Sequence, residues 1–160
     1  MADGEGMILG LIVEGQGEVT AAPTLIRHIA RDLSIYAQLR FKVWRVPRSE
    51  LIQAGELERA VEAQTRQIGR NQPLLILLDA DDDCPRDLAE RLTLRCRTRH
   101  ADVRVSVVIA NCEYEAWFLA AAKSLAGKSG AKEWLSQHET RAKLLANKAR
   151  VFVLRVDGSG

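Results

Sequence analysis

The chain has 160 residues, 47% of them hydrophobic, and its 23 basic and 21 acidic side chains leave a net charge of only +2. That length suits one domain with a single good core, and so small a charge rules out bulk attraction as the basis of any nucleic-acid binding, which must rest on local patches. Three cysteines, Cys84, Cys96 and Cys112, are odd in number and lack CxxC spacing, so they support neither a disulfide framework nor a zinc site.

Met1–Gly6 is acidic and glycine-containing, has no basic n-region, and is expected to be a disordered tail; residues 7–160 are expected to form a single α/β domain. Met7–Val13 (MILGLIV) is a continuous apolar run of strand length, too short and too early for a signal peptide or a membrane span. It ends in Glu14-Gly15-Gln16-Gly17-Glu18, and a helical stripe follows at Leu25, Ile26, Ile29 and Leu33. Glu18 at the helix start and Pro23, read as part of its first turn, suit a helix N-terminus. Phe41–Val46 predicts a strand ended by Pro47, and Leu57, Ala60, Val61, Gln64 and Ile68 mark one face of a helix stopped near Gly69.

Leu74–Asp83 (LLILLDADDD) is the stretch that carries most chemistry. Five apolar residues without alternation read as a central strand buried on both faces. The acids Asp79, Asp81, Asp82 and Asp83 then stand at its carboxyl end, where they repel one another unless a metal or a basic partner neutralises them. A hard divalent cation such as magnesium, or manganese in its place, is the natural candidate. Pro85 suits the N1 position of the next helix with Asp83 or Cys84 as its cap, and Leu88, Leu92 and Cys96 give its buried stripe. Val103–Ala110 predicts another strand, followed by Asn111-Cys112-Glu113-Tyr114-Glu115 and a helix over Ala116–Leu125; Lys132–His138 and Thr140–Ala149 read as short helices and Val151–Val156 as a last strand.

Strands and helices alternating at this rhythm predict a three-layer α/β/α sandwich with a mostly parallel central sheet, Rossmann-like in architecture. In such a sheet all carboxyl ends share one edge. Glu14, the aspartates after Leu78, and Glu113 with Glu115 therefore ought to converge. From Lys123 to Arg155 eight basic residues stand against two acids, so Lys123, Lys128 and Lys132 are candidates for following a phosphate backbone. His28, His100 and His138 fall in helices or at helix ends and read as surface residues, and Trp44 and Trp134 as packing residues.

Several familiar patterns nearly match. Gly15-x-Gly17 is followed by Thr20 where a dinucleotide fingerprint wants glycine, and Gly127-Lys128-Ser129 lacks both the preceding strand and the first glycine of a phosphate-binding loop. Asp79, Asp81, Asp83 and Glu90 take the spacing of a calcium loop, but Cys84 stands where its glycine belongs.

A hydrophobic strand with Glu14-Gly15-x-x-Glu18, then a hydrophobic strand with Asp79-x-Asp81-x-Asp83, resembles the Toprim domain of topoisomerases, primases and small bacterial nucleases. Ala110–Leu119 is similar to the asparagine-x-glutamate-x-glutamate-alanine-tryptophan signature of a small, stand-alone group of uncharacterised bacterial Toprim-like proteins. The likeness runs from about Met7 to Leu135. It implies that Glu14 is the general acid or base of phosphoryl transfer, with Glu18 as a further candidate, and that Asp79 and Asp81 hold magnesium. Asp83, Glu113 and Glu115 become candidates for a second metal or for support. The implied activity is that of a magnesium-dependent cytoplasmic nuclease acting on nucleic acid, working in bacterial defence with an ATPase partner. A catalytically weak Toprim module that binds metal and a protein partner, and a small-molecule phosphohydrolase, are the alternatives.

Overall fold

The computed structural model describes residues 6–35 and 38–111 with their side chains, and 151–155 as backbone. The apolar runs form strands, β1 (Ile8–Val13), β3 (Leu74–Asp79) and β4 (Val105–Ala110), joined by β2 (Arg40–Arg45) and β5 (Val151–Arg155). The helices between them are α1 (Gln16–Asp32), the short α2 (Arg48–Leu51), α3 (Glu56–Ile68) and α4 (Pro85–Arg99). Sheet order is β2-β1-β3-β4-β5, with β1 to β4 parallel and β5 antiparallel to β4. This is the expected α/β Rossmann-like sandwich with a mostly parallel sheet.

The absence of alternation in the central strands has a direct cause in the layers. Ile12, Leu74, Ile76, Leu78, Val105, Val107 and Ile109 point to one face, where Leu57, Ala60, Val61 and Ile68 of α3 and Leu88, Leu92 and Cys96 of α4 cover them. Their neighbours Leu11, Val13, Leu77, Val108 and Ala110 point to the other, where Ala22, Leu25 and Ile26 of α1 join the cluster. Both faces are apolar because both carry helices.

That division of helices also locates a crevice. The connection from β1 to β2 runs through α1 on one face, and the connection from β3 to β4 runs through α4 on the opposite face. The chain thus leaves β1 and β3 in opposite directions, and such a switch point opens a crevice outside the carboxyl ends of the two strands. Glu14 and Asp79 stand there.

The helix stripes predicted for α3 and α4 are buried as expected, and Gly69 closes α3 with φ 96°, a left-handed conformation that glycine adopts without strain. Other expectations are corrected. α1 begins at Gln16, so Pro23 is not in its first turn but in its interior, buried beside Ala22. Ile29 and Leu33, placed on the buried stripe, are 47% and 65% exposed, because the buried side of α1 runs instead through Ala22, Ile26 and Ala30 at four-residue spacing. Trp44, expected to pack, lies on that edge strand and is exposed. His100 is no surface histidine: it caps the end of α4, is buried, and its Nε2 lies 3.0 Å from the Glu58 carbonyl of α3. His138 and Trp134 lie outside the described residues.

Candidate functional site

The residue that follows β1, Glu14, is half-buried at the switch point, and the backbone N–H of Asp79, the last residue of β3, donates to its Oε2 at 3.4 Å. Two strand ends 65 positions apart in sequence are thereby joined through one carboxylate. Burial raises the Glu14 pKa above its ordinary 4.5, the Asp79 N–H opposes that, and the charges of Asp81 and Glu18 raise it further, with Arg48 acting in the lowering direction. A carboxyl group held high by desolvation and like charge is what a proton-transfer residue requires.

Glu18 stands in the first turn of α1 and is only 7% exposed. Its carboxylate folds back over Gly15, the N-cap of the helix, so closely that a methyl group on Gly15 would overlap it. Gly15 is required here for close approach and not for its backbone angles. Among the described residues Glu18 Oε2 has no hydrogen-bond partner although it is buried.

Beyond β3 the chain turns at once, with Asp83 N–H donating to the Ala80 carbonyl at 2.9 Å and Asp81 at φ 50°, a left-handed value that aspartate tolerates better than most residues. The cation that these acids demand is supplied in part by Arg48, the first residue of α2. Its Nη2 pairs with Asp83, and its Nη1 lies 3.7 Å from Asp81. Arg91 of α4 approaches Asp83 at 3.9 Å. Of the two caps expected for α4, Cys84 and not Asp83 is the N-cap, and among the described residues no side chain bonds the helix start. Arg48 could not be singled out from the sequence, where it is one arginine among many beside Pro47. The acidic loop announced the need for a basic partner without naming it.

Of the three acidic clusters expected to meet, two do. β4 ends beside Asp79, which pairs in register with Ala110, but Glu113 and Glu115 lie outside the described residues, as do Lys123, Lys128 and Lys132. Among the described residues no three His, Cys, Asp or Glu side chains are grouped closely enough to hold a metal ion. Asp81 and Asp83 face Arg48 instead. A separate cavity of about 980 Å³ lies between α3 and α4, lined by Glu58, Glu62, Arg66, Arg95 and Arg99 among others. Its acids are already paired, Glu58 with Arg95 at 2.7 Å and Glu62 with Arg66 at 2.9 Å, and both have lowered pKa values through hydrogen bonds from those arginines.

The fold is thus that of a Rossmann-like α/β protein with its acids gathered at a switch point. Within that class the chain belongs to the family described as Domain of unknown function (DUF4276), whose model matches residues 13–148. No curated protein and no solved structure matches the chain. Among the described residues no helix is long and apolar enough to cross a membrane.

Proposed function

We propose that this protein is a Toprim-like enzyme of metal-dependent phosphodiester chemistry on nucleic acid, a cytoplasmic nuclease in outline. The observation that carries the reading is Glu14: a carboxyl group at the switch point, bonded to the strand end that bears Asp79, with its pKa raised by burial and by neighbouring acids. The donor set fits magnesium in a particular way. Magnesium keeps several waters and completes its shell with substrate phosphates, so one or two protein carboxylates suffice; Asp79 and Asp81 are those carboxylates, with Asp83 in support. Glu18 Oε2, buried and without a partner among the described residues, is one more oxygen that a cation or its water would satisfy.

Bound there, the metal would neutralise charge on the phosphoryl group. Glu14 would hand a proton to the leaving oxygen or take one from the attacking water, as its raised pKa allows. The N-terminus of α1, which starts two residues after Glu14, would offer its first N–H groups and a positive dipole end to a phosphate. A polynucleotide would be followed by Lys123, Lys128 and Lys132, and an ATPase partner is part of the same proposal.

The test is cleavage of DNA and RNA with magnesium or manganese, which should fall by at least about a hundredfold in Glu14→Gln and likewise in Asp79→Asn. Activity unchanged in both variants would end the assignment. Turnover of a phosphate ester without polynucleotide cleavage would make it a small-molecule phosphohydrolase, and a metal-induced rise in Tm without any turnover would leave a binding module.

A further inference from the structure

Arg48 sits in the middle of the acidic edge, and nothing in the chemistry above uses it. Its side chain is only 19% exposed, held between the end of β2 and the Asp81–Asp83 loop. The guanidinium spends its two terminal nitrogens on Asp81 and Asp83, while its Nε is buried and, among the described residues, has no acceptor. A buried donor without a partner costs stability. The side chain is therefore in a pose that serves the aspartates and leaves its own third donor idle. Asp81, the more distant partner, stands at φ 50°, and non-glycine residues held in that region concentrate at ligand clamps and switches.

Resting on the metal-dependent reading, we propose that Arg48 is an exchangeable counter-ion: it holds Asp81 before substrate enters and, on its entry, gives Asp81 up to the cation and turns its Nε edge onto a phosphate oxygen. The geometry of the guanidinium suits both partners. Its planar fork offers Nε and one Nη side by side to two oxygens of a phosphate, a pairing that lysine cannot reproduce. Charge is conserved locally through the exchange, since Arg48 passes from carboxylate to phosphate while Asp81 passes from arginine to metal. Asp83 is not stranded, because Arg91 remains within 3.9 Å of it.

The experiment uses the full chain and its Arg48→Ala and Arg48→Lys variants, each first checked for folding by circular dichroism. Manganese binding is measured by electron paramagnetic resonance, and inorganic phosphate binding by calorimetry in the presence of magnesium. Removing a competitor for Asp81 should tighten manganese binding in Arg48→Ala, by about tenfold for a coupling of ordinary size, while phosphate binding weakens by a similar factor. Arg48→Lys should keep manganese binding near that of the parent and still lose phosphate. Manganese affinity unchanged or weakened in Arg48→Ala overturns the exchange while leaving the metal site standing. No manganese bound by any of the three proteins overturns the metal-dependent reading, and the exchange with it.

Discussion

Two acidic regions of this molecule contain the same residue types and behave in opposite ways. Between α3 and α4, Glu58 receives a two-pronged bond from Arg95, and Glu62 is met by Arg66 and Arg70, so each glutamate is held below the ordinary carboxylate range. At the switch point Glu14 has a backbone N–H and a distant arginine against burial and two like charges, and it is pushed above that range. Acids met by guanidinium groups stay charged at little cost, and the Glu58–Arg95 pair ties α3 to α4. Acids left in excess at a strand end are costly to the fold, and under the proposed function that cost serves the reaction.

The contrast breaks most visibly at Arg95. Its guanidinium bonds Glu58 and also the carbonyls of Leu51, Ile52 and Gln53, tying α4 to the segment that follows α2. Arg95→Ala should lower the unfolding free energy by about 3 kcal/mol in denaturant titration, and by displacing α2 should loosen Arg48 as well. A loss below about 1 kcal/mol would show that the pair is no more than a surface ion pair. Next in size is Gly15→Ala, which must push the Glu18 carboxylate from its place over the helix start. We expect a loss of roughly 1 to 2 kcal/mol, together with a smaller metal-induced rise in Tm than the parent shows.

The smallest effect is the most discriminating. Glu14→Gln should stabilise the metal-free protein at neutral pH by a few degrees in Tm while abolishing the proposed cleavage. The pH dependence supplies the sign. Glu14, raised mainly by burial, contributes stability that is complete below about 4.5 and lost as pH rises through its raised value. Glu58, lowered first by its hydrogen bond from Arg95, contributes stability present above 4.5 and lost as pH falls through its lowered value. Thermal scans across pH should therefore show Glu14→Gln removing only the loss that sets in as pH rises above about 4.5, and Glu58→Gln only the loss that sets in as pH falls below it. If Glu14→Gln flattens the acid side instead, the environment assigned to Glu14 is wrong.

The strands could be read in the sequence because burial on both faces removes polar alternation, leaving runs such as Leu74–Leu78 that admit little else. α3 and α4 could be read because their stripes meet the sheet along their whole length. α1 obeyed the same periodicity only in part: Leu25 and Ile26 join the core and Ala30 in the last turn is buried, whereas Ile29 and Leu33 stay exposed. Periodicity shows that a helix has an apolar stripe, but small residues such as Ala22 and Ala30 can carry its centre where the larger side chains do not point to it. Glu14 and Asp79 were legible because parallel strands bring their ends together by rule. Arg48 was not, since a long-range ion pair leaves no spacing in the sequence, and His100 was misread because a helix end can lie under a neighbouring helix as readily as in water.

The position of β2 at the margin of the sheet has a consequence for how the molecule meets copies of itself. In the described sheet β2 pairs only with β1, so among the described residues one row of its backbone groups has no strand beside it. Arg40, Lys42 and Arg45 are all exposed along those six residues. A second copy laying its own β2 alongside would set cation against cation at strand spacing, a repulsion that natural sheets use to stop unwanted growth. The margin is thus self-limiting toward its own kind, and it would lose that protection at high salt or if the three charges were replaced by threonine.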